Sequence, residues 1–209
     1  MATPSGVEAS NTRDRILDAA VEVIAERGYS AAGVQEIIDR AGTSKGSFYF
    51  HFPSKETMTM ALLEQMSNRL IKRVQEAVQG EPTPLHRVAA GIEFLLATFS
   101  RHRKVAQVLL VNLMGHGRTI DRRFLPIREK LSELIKGELD AAVAQGQIEC
   151  QDTSLVAAVW VGALHEVIMR WLLTGQPSPL SGVAPELRST LLRSVGVDPA
   201  MFQPLQRRA

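Results

Sequence analysis

Period is the feature that most limits what this chain can fold into. Apolar residues return at helical spacing from near the start of the chain to about residue 196. Strand signals are nearly absent: there is no Asn-Gly or Asp-Gly hairpin, and aromatics make up only 5%. The expected fold is therefore all-α. Ile16, Leu17, Ala20, Val23 and Ile24 mark a first helix, with Asn11 or Thr12 as its cap and Gly28 as its stop. Val34, Ile37, Ile38 and Ala41 mark a short second helix ending at Gly42, and Ser44 caps a third that runs to about Phe50.

Pro53-Ser54 closes one element and opens the next, a long helix to about Gln79 with Met58, Leu62, Met66, Leu70 and Val74 as its stripe. Further helices are expected around 88–99, 105–114, 124–139, 153–173 and 185–196, nine in all. A basic break falls at 101–104 and a Pro/Gly/Ser loop at 176–184. The organisation read from this is a disordered tail at 1–10, a domain at 11–56, a helical body at 57–196 and a tail at 197–209.

At 209 residues the chain can bury a substantial core without staples. Its net charge of +2 excludes a polycation drawn to nucleic acid everywhere at once, so any DNA affinity must be local. The single cysteine, Cys150, cannot pair within the chain, which favours a reducing compartment. The first ten residues lack the basic start and apolar core of a signal peptide. The uncharged apolar stretches at 105–117 and 153–165 fall short of the about 20 residues a bilayer requires. A cytoplasmic protein without a membrane partner is expected.

The informative stretch is 11–56. Two short helices flank Ala41-Gly42-Thr43-Ser44, where glycine permits a sharp turn and serine caps the second helix of the pair: a helix-turn-helix. In that motif the second helix enters the major groove with its first residues at the base edges. Those residues are Thr43, Ser44, Lys45, Gly46 and Ser47. They are small or polar, and Lys45 can donate to guanine or phosphate. The helix start also suits a phosphate, as do Ser54 and Lys55 at the start of the long helix. Gln35, on the preceding helix, can reach a base edge. The domain is not basic overall. Arg13, Arg15, Arg27, Arg40, Lys45 and Lys55 face Asp14, Asp18, Glu22, Glu26, Glu36, Asp39 and Glu56, so binding must rely on sidedness, with most acids turned away.

The run Thr12-Arg13-Asp14-Arg15-Ile16-Leu17, then Ala20, Gly28-Tyr29, Val34, Ile37, the unbroken 41–52, and Ser54-Lys55-Glu56 resembles the DNA-binding domain of the TetR/AcrR family. The likeness covers about residues 11–58. It implies a ligand-responsive regulator, most often a repressor, with a three-helix DNA-binding domain joined by a long helix to a helical ligand-binding and dimerisation domain. It implies DNA contacts from Tyr49 and His51. Phe48, Phe50 and Phe52 read more plainly as ordinary core, Phe48 and Phe52 above all. The sequence departs from the family at Ala32-Gly33, where hydroxyl residues usually open the second helix; backbone N–H groups can serve there instead.

In the body, 153–173 is apolar on more than one face, which suggests burial against a partner subunit. With 185–195 it is expected to form a four-helix homodimer interface through Trp160, Leu164, Trp171, Leu187 and Leu191. Filling a monomer core is the plainer alternative. Polar groups among apolar ones, near Phe99, Asn112, His116, His165 and Arg170, are the candidate effector contacts. Glu166 and Arg170 at i,i+4 also read as an ion pair, and His165 as a core histidine. The apolar lining and the basic break at Arg101, His102, Arg103 and Lys104 suit a lipophilic anion such as an acyl thioester.

Catalysis is not indicated. The histidines are scattered without metal spacing, Cys150 has no histidine nearby in sequence, and no phosphate loop or dinucleotide fingerprint is present. No catalytic residue, metal or cofactor is expected. The competing reading is a helical small-molecule or lipid-binding protein with a vestigial helix-turn-helix.

Overall fold

The computed structural model describes residues 6–108, 110, 118–149 and 152–198, and for 6–10 and 118–127 the backbone alone. Among the described residues there are nine α-helices and no strand. They are α1 (Gly6–Ala31), α2 (Val34–Ala41), α3 (Lys45–His51), α4 (Lys55–Val78), α5 (Pro84–Arg101), α6 (Arg103–Gln107), α7 (Arg118–Ala144), α8 (Thr153–Thr174) and α9 (Ala184–Arg193). A 3-10 turn, Leu180–Val183, precedes α9.

Helix ends follow the punctuation of the sequence. Gly28 breaks α1 at φ 75° and ψ 163°, Gly42 ends α2 in the left-handed region, and Gly175 does the same for α8. Ser44, Thr83 and Asp152 accept N–H bonds at the starts of α3, α5 and α8. Two starts differ from expectation. α1 begins at Gly6 rather than at Asn11 or Thr12, so residues 6–10, expected in a tail, are helical in backbone. No Gly or Pro lies between Val7 and Arg27 to stop the helix propagating backward. α7 likewise begins at Arg118, ahead of its apolar stripe. Of the helix expected over 105–114, α6 covers the first residues; 111–117 lie outside the described residues, as does Cys150.

The chain divides into two compact units. The first holds the chain up to Asn68, with the segment from Lys104 to Phe124. Its core is Ile16, Leu17, Ala20, Val23 and Ile24 of α1, Ile37 and Ile38 of α2, Phe48 of α3, and Met58, Leu62 and Leu63 of α4, all nearly inaccessible. The second holds Arg69–Arg103 and the chain from Leu125. There α5 packs on α8, α9 and the 3-10 turn. Arg188 of α9, itself buried, donates to Glu93 of α5, and Trp160 Nε1 donates to Ser194 Oγ at 3.1 Å.

The long apolar helix α8 is 22 residues with a mean hydropathy of 1.5, enough by length and composition to cross a bilayer. The uncharged stretch in the sequence stops at His165 because Glu166 and Arg170 follow, whereas the helix continues to Thr174. Its buried Ala157, Trp160, Val161, Leu164, Ile168 and Trp171 make it a core helix of the second unit.

Candidate nucleic-acid interface and effector cavity

The turn of the helix-turn-helix is fixed from two sides. Gly42 N–H returns to Asp39 O at 3.2 Å and Thr43 N–H to Ile38 O at 3.2 Å. From α1, Arg15 Nη2 donates to Gly42 O at 2.8 Å and to Ala41 O. Ser44 Oγ then accepts from Ser47 N–H at 3.1 Å, so the hydroxyl expected at DNA is already engaged in capping α3. Gly33 caps α2 by backbone alone, without a side-chain bond.

On α3, Lys45, Gly46, Tyr49 and Phe50 are exposed, Ser47 and His51 are partly exposed, and Phe48 is wholly buried, so of the three phenylalanines read as core Phe50 is not, its position falling on the outer face of the helix. Tyr49 stands edge-on to Phe48 with ring centres 5.3 Å apart, which leaves its outer edge toward solvent. Phe52 is buried, with the Arg13 guanidinium 5.4 Å from its ring centre. Three other candidates are tied within the unit. Gln35 Nε2 donates to Asp39 Oδ1 at 2.8 Å. Ser54 and Thr57 form a reciprocal capping box, Thr57 N–H on Ser54 Oγ at 3.1 Å and Ser54 N–H on Thr57 Oγ1 at 3.0 Å. Lys55 Nζ donates to Tyr29 O and lies 4.5 Å from the Tyr29 ring centre. Burial pushes the Lys55 ammonium below its ordinary pKa. Lys55 therefore fixes the start of α4 against the turn after Gly28.

The excess of acids is resolved by pairing. Arg40 Nη1 meets Glu26 at 2.8 Å and Glu22 at 3.7 Å, its Nη2 meets Glu36 at 3.8 Å, and Arg27 Nε also reaches Glu36 at 3.4 Å. The Arg40 hydrogen bond holds the Glu26 carboxyl below its ordinary pKa. Asp14 accepts from Gln65 Nε2 at 2.9 Å. With Asp39 bound by Gln35, five of the seven acids in 11–56 have partners inside the unit, whereas Lys45 projects to solvent.

The second unit contains a cavity of about 280 Å³. Val74 and Val78 of α4, Val88, Ile92 and Leu95 of α5, Leu131, Leu134 and Ile135 of α7 and Leu164 of α8 make its apolar wall. Gly91 leaves room where α5 faces α4: a Cβ there would lie 3.6 Å from Val78 Cγ1. The polar lining is Gln75, Gln79 and the pair Arg87–Glu138, whose Arg87 Nη2 to Glu138 Oε2 distance is 2.8 Å.

The expected segments 88–99 and 153–173 contribute to this cavity, but the expected contacts Phe99, His165 and Arg170 do not line it. Phe99 is buried, Arg170 is exposed, and Asn112 and His116 lie outside the described residues. His165 is half-buried with Nε2 lacking a partner among the described residues, and burial, helped by Arg128, lowers its pKa. Arg103, part of the basic break offered to an anion, instead donates Nη2 to Leu172 O at 2.8 Å and lies 4.5 Å from the Trp171 ring centre. It thereby satisfies one of the carbonyls left open at the end of α8. The sequence reading missed Arg87, Glu138 and the α4 and α7 walls. Their signals were a glycine inside the apolar stripe of α5 and a charge on each of two otherwise apolar helix faces.

The expected interface residues Trp160, Leu164, Trp171, Leu187 and Leu191 are all buried within the single chain. The large apolar side chains that α8 leaves exposed are Leu155 at 62%, Val159 at 57% and Leu173 at 66%.

A cap-and-turn pair of short helices that presents Lys45 and Tyr49 outward, ahead of a helical unit with an apolar cavity, defines a helix-turn-helix regulator. The sequence profile of the bacterial regulatory proteins of the tetR family matches residues 16–62, the helix-turn-helix part of the chain. The fatty acid metabolism regulator protein of Bacillus subtilis (strain 168) is 26% identical over 189 residues, 87% of this chain and 94% of that protein. The transcriptional activator FasR of Mycolicibacterium smegmatis is 41% identical over 81 residues, 39% of this chain and 37% of FasR. The crystal structure of the transcriptional regulator FadR from Bacillus subtilis, in complex with stearoyl-CoA, superposes with a TM-score of 0.79 at 25% identity, covering 85% of this chain and 96% of that one.

Proposed function

We propose that this DNA-binding regulator works in the cytoplasm as a homodimer, represses from a palindromic operator, and is released by a lipophilic effector of the acyl-thioester class. The observation that carries the effector reading is the cavity of the second unit. Its wall is apolar apart from two glutamines and one internally neutralised ion pair, which suits an uncharged chain. Its volume of about 280 Å³ is close to the lower end of ligand pockets, which span roughly 300–1,000 Å³. That size suits an acyl chain with the head group outside. A relative whose structure holds stearoyl-CoA supports the same class.

Lys45, Thr43, Gly46, Ser47, Tyr49 and His51 are the proposed reading set. In the operator-bound dimer the two copies of α3 would sit about 34–36 Å apart, one turn of DNA. α4 is the coupling element, because its first turn carries the Ser54–Thr57 box and its last turns carry Val74 and Val78 of the cavity wall. A coupling of about 1–3 kcal/mol changes operator affinity about 5–150-fold, and linkage requires DNA to weaken effector binding by the same factor. The test is to titrate acyl thioesters of increasing chain length with operator present and absent. Equal effector affinity in both arms removes the allosteric reading and leaves a binding protein.

A further inference from the structure

We propose that Gly46 and Phe50 form a notch that reads the 5-methyl group of a thymine. This deepens the DNA-binding reading and rests on it.

Among the described residues of the first unit, Tyr49 and Phe50 are the large apolar side chains left exposed, and Phe50 is the more exposed at 74%. Its neighbours Phe48 and Phe52 are buried, so the unit had apolar sites and did not use one for this ring. Phe50 follows Gly46 by four residues, on the same face of α3 and about 6 Å along its axis. Helical side chains lean toward the N-terminus over the residue four before them. Gly46 puts no side chain on that face, and no Phe50 atom comes within 4 Å of where its Cβ would stand, so backbone and ring leave an open space between them. His51 stands edge-on to the ring with centres 5.2 Å apart and backs it on one side.

The protein itself does not require glycine at 46. The position is helical, and an added Cβ would meet only Ser44 Oγ at 3.9 Å, ordinary contact. A helical glycine destabilises relative to alanine, so the space over Gly46 points to something that enters from outside. The major groove offers one apolar group at a base edge, the thymine methyl, and apolar side chains are its partners. A methyl seated over Gly46 against the Phe50 ring fits that space. Lys45 and Tyr49, the adjacent i,i+4 pair, remain for polar contacts beside it.

The experiment uses the full-length protein and a duplex it selects from a random library. Each thymine is replaced in turn by uracil, which differs only in lacking the methyl. At one thymine per half-site, uracil is expected to weaken wild-type binding about fourfold, the worth of one buried methyl group. In Phe50→Ala that penalty disappears. In Gly46→Ala the new methyl occupies the notch, so this variant binds the uracil duplex more tightly than the thymine duplex. Both positions are exposed, so Phe50→Ala should keep the wild-type unfolding midpoint and Gly46→Ala should raise it slightly. The proposal is overturned if no uracil duplex weakens the wild type, if Phe50→Ala keeps the penalty, or if Gly46→Ala loses equally on both duplexes. If the wild type selects no sequence at all, the DNA-binding reading itself falls and takes this inference with it.

Discussion

Arg15 holds the turn at Gly42 across 27 residues of sequence: its Nη2 lies 2.8 Å from Gly42 O and would lie 3.0 Å from a Cβ at that position. Gly42 is at φ +58°, where an L side chain is strained. Gly42→Ala is therefore expected to cost about 1–2 kcal/mol from backbone conformation, plus displacement of the Arg15 guanidinium. Arg15→Ala, which removes bonds at an exposed site, should cost about 1 kcal/mol. Hydrogen exchange at the α2 amides measures both, and unchanged protection in Gly42→Ala would refute the role given to the turn.

The Arg40 cluster predicts an acid limit for the first unit. Glu26 is held below its ordinary value of 4.5 chiefly by the hydrogen bond from Arg40. A depressed carboxylate contributes stability that is present above the unfolded pKa and lost as pH falls through the folded one. Glu26→Gln should thus be less stable than wild type near neutrality and lose less between about pH 5 and the acid limit. Unfolding followed across pH 3–7 checks this, and parallel curves for the two proteins would count against it.

The DNA-binding half was legible because its boundaries rest on residues with one main use. Gly28 and Gly42 stop helices, Ser44 caps, and Phe48 and Phe52 bury. Where no such residue intervened, as before Thr12 and before Phe124, the helix ran past its apolar stripe. The cavity was not legible in the same way. Val74, Leu131 and Leu134 read as core, and only packing decides whether core side chains meet or leave a void. Nor does a sequence show that Arg87 pairs with Glu138 51 residues on, or that Arg103 is engaged by a helix end. The largest apolar residues of α8 were expected at a partner, but Trp160 and Trp171 have the most area to bury and the chain's own core takes them first.

Filling the cavity should separate sensing from DNA binding. A Cβ at Gly91 would sit in ordinary contact with Val78 and Val74, so Gly91→Ala fits and should stabilise α5 by up to about 1 kcal/mol. Gly91→Leu extends into the cavity of about 280 Å³ and competes with an effector for it. Wild-type operator affinity together with loss of release by acyl thioesters is the expected pair of results in a gel-shift titration. A Gly91→Leu protein that still releases DNA at wild-type effector concentration would place the effector elsewhere.

For the proposed homodimer, the exposed face of α8 is the candidate contact. Leu155, Val159 and Leu173 are exposed at 62%, 57% and 66%, and around Leu155 and Val159 the exposed Ala158 and the small Gly162 leave room for a second α8, with the exposed Glu166 beyond them on the same face. Burying Leu155 and Val159 against a partner would contribute about 1.5–3 kcal/mol for each side chain. Val159→Arg places a charge in that contact and, being exposed in the single chain, should leave the fold intact. Sedimentation at micromolar concentration is expected to find a folded monomer for Val159→Arg and a dimer for the wild type. Trp160→Ala tests the contrast. Trp160 is 1% exposed and donates to Ser194, so its loss should cost about 3–5 kcal/mol and unfold the second unit rather than dissociate a folded pair. If Val159→Arg remains dimeric while Trp160→Ala gives a folded monomer, the interface lies on the Trp160 side of α8, and the roles of the two faces must be reversed.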